Sequence, residues 1–196
     1  MVIVREDFLE DPLTVRELAL SQFRSVYDDL TTDGEGYYPG VRVDLPEDLQ
    51  RDLISKLEIE TGRQILSFSC AFHLTTAIHG FGLIHQDSTR FSGLVYLNEE
   101  APPHSGTLLC ELNTEPLPQI HGFFEASSTS DRNAIESFIQ TKLVYNTTHF
   151  KIDRKIDNRF NRMIVYEGAR PHAPGIYFGS TVEDSRLVLV FWFNVR

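Results

Sequence analysis

The chain is poor in the residues that would tie it to several classes of protein. It has only two cysteines, two methionines and one tryptophan in 196 residues. Cys70 and Cys110 each lie within an apolar run, cannot make a disulfide framework, and read as buried free thiols. No apolar stretch approaches the length of a membrane span. The start, Met1-Val-Ile-Val-Arg-Glu-Asp7, has no cationic lead followed by an apolar segment of signal-peptide type, so a cytoplasmic protein with no membrane partner is expected. Basic residues are scarce as well: 18 Lys and Arg against 28 Asp and Glu give a net charge of −10. A nucleic-acid backbone calls for a basic patch, so no nucleic-acid partner is expected.

What the chain does have is enough apolar and aromatic material, 41% and 11%, for a globular core. Its length fits a single domain. Asp11-Pro12 has the form of an N-cap followed by proline at the first helical position, and Val15, Leu18, Ala19 and Phe23 recur at helical spacing, so a helix is predicted from 12 to about 26. Thr31 to Gly40, with three glycines, reads as a loop whose Tyr37-Tyr38 pair covers a pocket. A second helix is predicted from Glu47 to about Thr61, with Leu49, Leu53, Ile54 and Leu57 on its apolar side.

After Gly62 the character changes to short segments rich in β-branched and aromatic residues, separated by turns: Gln64–Thr75, Ser92–Asn98, Thr107–Leu112, Arg162–Tyr166 and Arg186–Val195. These point to a sandwich or barrel behind two leading helices, 1–62 forming a helical support and 63–196 the sheet-rich core. Residues 113–161 read as an insertion near the mouth of a site, with a helix opening at Asp131.

The chemistry starts at His85-Gln86-Asp87. Alternate residues of a strand face the same way, so His85 and Asp87 can address one point. The turn from Gly168 to Gly175 offers a third ligand, His172, with Pro171 and Pro174 stiffening the backbone around it. Two imidazoles and a carboxylate fill one face of an octahedral iron(II) and leave the other open, but the same set also serves zinc hydrolases. In Arg186–Phe193 the alternate positions Arg186, Val188, Val190 and Trp192 share a face. An inward arginine needs an anion: either an acidic residue of the protein or the carboxylate of a ligand, which its planar fork suits. Tyr96 shares a face with Leu94 and Asn98 and reads as a core aromatic or a contact to the same carboxylate.

Taken in order, His85-x-Asp87, Tyr96-Leu97-Asn98, Gly106-Thr107-Leu108-Leu109, Arg162-Met163-Ile164-Val165 leading to Pro171-His172, and Arg186 leading to Phe191-Trp192-Phe193, the chain resembles the iron(II)- and 2-oxoglutarate-dependent dioxygenases, in their prolyl-hydroxylase-like branch. The resemblance covers about residues 64–196. It implies a mainly β fold with leading helices, a double-stranded β-helix (a cupin-like jelly roll). It implies iron(II) on His85, Asp87 and His172, with 2-oxoglutarate and O2 as cosubstrates. Arg186 and Tyr96 would bind the distal carboxylate of 2-oxoglutarate, and Trp192 would lie near it. The implied activity is hydroxylation of an unactivated C–H bond.

Two features depart from the family pattern. Val188 and Val190 stand where relatives place a serine or threonine, and Arg186 lies farther beyond His172 than is usual, which Gly175–Asp184 would absorb as a longer hairpin. Asp87 separates the chain from halogenases, which lack that carboxylate.

The expected substrate is a small molecule such as an amino acid or derivative, free or carrier-tethered, because the domain offers no extra recognition module. Arg42, Tyr38 and Arg170 are the candidate substrate contacts. Two alternatives use the same residues: a cupin-like metal-dependent hydrolase or isomerase, in which Arg186 is a structural ion pair, and a non-catalytic jelly roll that holds an organic acid. Of the other histidines, His73 reads as a satisfied core residue, and His79, His104, His121 and His149 as solvent-facing.

Overall fold

Pro12 has no N–H to lose at the first turn of a helix, and Asp11 before it accepts the Thr14 amide at 3.1 Å, so the capped helix starts where the sequence predicts. The structure, a computed structural model, describes residues 1–26, 39–79, 82–112 and 150–196. Strand β1 (Val2–Arg5) leads into helix α1 (Pro12–Val26); β2 (Val41–Val43) leads into helix α2 (Glu47–Thr61). Helix α2 starts behind Pro46 without a side-chain cap and ends on Gly62 in the left-handed conformation. Then follow β3 (Ile65–Thr75), β4 (Phe91–Tyr96), β5 (Thr107–Leu112), β6 (Phe150–Ile156), β7 (Met163–Glu167), β8 (His172–Pro174) and β9 (Arg186–Val195).

The strands make two antiparallel sheets, a six-stranded one ordered β1-β7-β4-β9-β3-β2 and a three-stranded one ordered β6-β5-β8. The alternation along β3, β4, β7 and β9 sends side chains to two cores. On one face Phe72, Leu74, Phe91, Val95, Met163, Val165, Leu189, Phe191 and Phe193 pack against Ala19, Leu20 and Phe23 of α1 and Leu53 and Leu57 of α2. Burying each such Leu or Phe is worth about 1.5–3 kcal/mol, which is what holds the helices to the sheet. On the other face Ala71, Leu94, Tyr96, Ile164, Val188 and Val190 meet Leu109 and Ile156 of the smaller sheet. The site lies in this second layer, between the sheets.

This is the mainly β architecture with leading helices that the sequence implied. Three strands were not foreseen. Val41–Val43 adds an edge to β3, pairing Arg42 with His73. Phe150–Ile156 lies within the stretch read as an insertion, yet it is a strand of the smaller sheet along the whole of β5. His172–Pro174, read as a turn, pairs with β5, placing His172 opposite Leu109 and Pro174 opposite Thr107. The 175–185 segment is also no hairpin: it carries the chain from the smaller sheet to the larger, with the Asp184 carboxylate accepting the Ser180 and Thr181 amides at 2.8 and 2.7 Å. The helix expected from Asp131, Tyr37, Tyr38, His121 and His149 lie outside the described residues. Among the described residues no helix is long and apolar enough to cross a membrane. Cys70 and Cys110 are free thiols, both pushed up to about 11 by burial.

Candidate active site

His85 and His172 come together because their backbones pair. An isolated antiparallel bridge joins them, each amide donating to the other's carbonyl at 2.9 Å. The Asp87 amide is held in turn by the Gly168 carbonyl at 2.8 Å. Gly168 allows this approach: a Cβ there would stand 2.3 Å from the Thr89 carbonyl oxygen.

Each imidazole has its Nδ1 engaged by a carbonyl two residues earlier, His85 by Leu83 at 2.9 Å and His172 by Arg170 at 2.8 Å. Nδ1 therefore carries the proton and donates, leaving both Nε2 lone pairs for a ligand, the tautomer a metal site needs. Nε2 of His172 lies 3.3 Å from Asp87 Oδ2 and Nε2 of His85 lies 3.9 Å from Oδ1. One ligand atom from each of the three residues falls within 4.8 Å of the others. Ligands at about 2.1 Å from an ion and at right angles are roughly 3 Å apart, so a small closure brings the set to a metal. Burial, then His172, lowers His85 to about 4. For Asp87 burial acts upward, but His172 and Ser92 outweigh it and hold the carboxyl at about 2. His85 is thereby held neutral and Asp87 an anion, charges that suit a divalent cation.

The triad opens on a cavity of about 70 Å³ whose wall includes Arg42, His73, Thr107, Tyr166, Tyr177, Arg186 and Trp192. Arg186 is 1% exposed. Its Nε donates to the Ser105 carbonyl at 3.2 Å and its Nη2 has no hydrogen-bond partner among the described residues. Among these residues it makes no ion pair, so the acidic protein partner allowed by the sequence is not found there. Asn98 fixes the backbone on both sides of Arg186, donating to the Ser185 carbonyl at 2.8 Å and accepting the Leu187 amide at 2.9 Å. The Tyr177 ring, 5.9 Å from the guanidinium carbon, faces it across the cavity wall.

The remaining candidates divide. Trp192 lines the cavity, but its indole N–H is given to Asp87 Oδ2 at 3.1 Å. Arg42 lines the cavity too, its guanidinium carbon 5.0 Å from the Trp192 ring centroid. Tyr96 is fully buried, burial pushing its phenol up to about 12, and its hydroxyl is 2.6 Å from Thr107 Oγ1. Thr107 is the member of this pair that borders the cavity. Arg170 is not brought there: its guanidinium pairs with Asp153 on the smaller sheet, and only its carbonyl serves the site, through His172. Tyr38 lies outside the described residues. His73 is the satisfied core histidine expected, Nε2–H donating to the Pro39 carbonyl at 2.9 Å.

Ser92, Thr107, Tyr166 and Tyr177 were not singled out from the sequence. Ser92 shares the Leu94–Tyr96–Asn98 face and so had a periodic signal, and Thr107 sits in the Gly106-Thr107 motif. Tyr166 and Tyr177 carried none.

The fold is the double-stranded β-helix of 2-oxoglutarate oxygenases. Solved structures similar to the chain include a Pseudomonas putida prolyl-4-hydroxylase, at 16% identity over 100% of this chain and 92% of that one, TM-score 0.54. A Trichoplax adhaerens prolyl hydroxylase in complex with a hypoxia inducible factor peptide is similar at 14% identity over 98% and 82%, TM-score 0.57. HygX from Streptomyces hygroscopicus, solved with nickel and 2-oxoglutarate, is similar at 12% identity over 98% and 82%, TM-score 0.57. At these identities the likeness is one of fold. The chain itself belongs to the family of unknown function DUF6445, whose model matches residues 1–187. No curated protein matches it in sequence.

Proposed function

We propose that the chain is a single-domain iron(II)- and 2-oxoglutarate-dependent oxygenase that hydroxylates an unactivated C–H bond of a small molecule, such as an amino acid or a derivative, free or carrier-tethered. One observation carries this reading: the His85–Asp87–His172 triad and the unpartnered Nη2 of buried Arg186 border the same cavity. An orphaned buried guanidinium is expensive, and a ligand carboxylate offsets that cost. A hydrolase or isomerase using the triad alone has no need of it.

His85, Asp87 and His172 would hold the metal. With iron, O2 and the keto acid bound, 2-oxoglutarate is converted to succinate and carbon dioxide while the second oxygen atom enters the substrate C–H bond. The chain's own part is to bind and orient. Arg186 grips the distal carboxylate, with Thr107, backed by Tyr96, as the nearby hydroxyl. Tyr177 and Val190 shield that end from water. Arg42 is the cation offered to an acidic group of the substrate.

Iron-dependent release of succinate from 2-oxoglutarate tests the reaction, with Arg186→Ala expected to be inactive at any 2-oxoglutarate concentration. No succinate release by the wild type would move the reading to the hydrolase or isomerase, and release that survives the substitution would remove Arg186 from the keto-acid site. Once a substrate is found by succinate release, Arg42→Ala should raise its KM and leave uncoupled 2-oxoglutarate turnover intact. Loss of the uncoupled turnover would reject the substrate role.

A further inference from the structure

Tyr166 carries a buried hydroxyl for which the protein itself has no partner. The alternation of β7 turns Ile164 and Tyr166 toward the core between the sheets, and Tyr166 is 4% exposed. Its ring lies 4.5 Å from that of His172, tilted by 55°, and it lines the cavity. The polar groups around it are engaged elsewhere. Asp87 Oδ2 accepts from Ser92 Oγ at 2.6 Å and from Trp192 Nε1 at 3.1 Å, His172 Nδ1 donates to the Arg170 carbonyl at 2.8 Å, and the Tyr96 hydroxyl is paired with Thr107. Among the described residues the Tyr166 hydroxyl makes no hydrogen bond. A buried hydroxyl without an acceptor is unfavourable, so a ligand that brings one gains by it.

Its place in the cavity indicates which part of a ligand that is. In the β4–β7 ladder Tyr166 stands opposite Ser92, the residue that holds Asp87, and its ring rests on His172. It therefore belongs to the triad end of the cavity, whereas Arg186, Tyr177 and the Thr107–Tyr96 pair make up the other end. A 2-oxo acid that chelates through its keto oxygen and one carboxylate oxygen leaves the second oxygen of that carboxylate off the metal. That atom is an anionic acceptor, which a neutral phenol suits.

We infer that Tyr166 is the hydrogen-bond donor for the carboxylate at the chelating end of the keto acid, so that the two ends of the ligand are recognised by separate groups. The inference rests on the metal and keto-acid reading above. It gives the phenol of Tyr166 a task distinct from that of Tyr96, which the family resemblance sets at the distal carboxylate.

Tyr166→Phe keeps the ring on His172 and removes only the hydroxyl, and calorimetry with separate probes resolves the two ends. Cobalt(II) added to metal-free protein reads the triad. Oxalate added to the cobalt-loaded protein reads the chelating end alone, since it has no distal arm, and 2-oxoglutarate reads both. Tyr166→Phe should bind cobalt as the wild type does, and bind oxalate and 2-oxoglutarate about tenfold or more weakly, the worth of one hydrogen bond to a charged group. Arg186→Ala should show the other split, losing affinity for 2-oxoglutarate and keeping that for oxalate. Wild-type affinity for oxalate in Tyr166→Phe would overturn the inference. So would a loss of cobalt binding in that variant, which would make Tyr166 a support of His172.

The same substitution tests the premise without any ligand. Removing a hydroxyl that has no partner should leave the Tm of the ligand-free protein unchanged or raise it. A fall in Tm, or a failure to fold, would reveal a partner within the protein and overturn the inference as well. A wild type that binds cobalt but neither oxalate nor 2-oxoglutarate would instead reject the keto-acid reading, and one that binds no cobalt the metal-site reading, and with either this assignment.

Discussion

His85 and His172 exchange both backbone hydrogen bonds, and each then turns its Nδ1 onto the carbonyl two residues before it. The two candidate ligands are thus oriented by the same local device on two separate segments. His85→Ala should leave the backbone bridge and the His172 ring where they are. The expected outcome is wild-type far-UV circular dichroism with metal affinity reduced by more than the about 10–100-fold that loss of a supporting hydrogen bond costs. Calorimetric titration with cobalt(II) measures it, and unaltered affinity would remove His85 from the metal site.

Arg186 sets function against stability. It is buried, carries an unpartnered Nη2, and no acidic residue pairs with it among those described. Arg186→Met fills similar volume without a charge. In the absence of ligand it should stabilise the protein by about 1 kcal/mol, raising Tm by roughly 2–4 °C, because replacing an uncompensated buried ion by an apolar side chain is neutral or better. Affinity for 2-oxoglutarate should be lost in the same variant. Thermal melts with and without the keto acid read both effects, and a fall in ligand-free Tm would indicate that the guanidinium has a structural partner.

Thr107 and Tyr96 form one hydroxyl pair across the two sheets, with Thr107 on the cavity side. Thr107→Val should therefore weaken 2-oxoglutarate binding more than Tyr96→Phe does, by about tenfold or more, the worth of one hydrogen bond to a charged group. Calorimetry on the two variants ranks them. The reverse order would return the carboxylate contact to Tyr96, where the family resemblance puts it.

Both helices were legible because their apolar spacing and the Asp11-Pro12 start are local signals, and the strands β3, β4, β5 and β9 because they are rich in aliphatic, aromatic and β-branched residues and bounded by turns. The missed strands exist through their partners. Val41–Val43 is three residues on the edge of β3; Phe150–Ile156 is an edge strand full of charge, which resists the strand reading while protecting an open edge. His172–Pro174 contains a proline and is a strand only because β5 and His85 pair with it. The site divides in the same way. His85, Asp87, His172 and Arg186 were visible as chemistry. The roles of Ser92, Trp192 and Thr107 come from cross-strand register and sheet packing, which spacing along one strand does not contain.

His73 gives the fold a pH signature. Burial, and then the charge of Arg42, lowers it to about 3, against about 6.5 in an unfolded chain. The folded protein keeps the ring neutral while the unfolded chain takes up a proton below about pH 6.5. Stability from this group is therefore complete above about pH 6.5 and is lost as pH falls toward 3, at up to about 1.4 kcal/mol per pH unit. His73→Gln keeps a donor for the Pro39 carbonyl and cannot titrate. Urea midpoints of the wild type should fall more steeply than those of the variant between about pH 6.5 and about pH 4, and parallel curves would show that His73 is protonated in the folded protein.

The central claim is that one cavity holds a metal on His85, Asp87 and His172 and a keto acid on that metal. It is tested most directly by adding iron(II) and then 2-oxoglutarate to anaerobic, metal-free protein while recording the visible spectrum. The account expects a metal-to-ligand charge-transfer band that needs both additions and is absent in His172→Ala. Tight iron binding with no such band would contradict the oxygenase reading, and no iron binding would contradict the metal site itself.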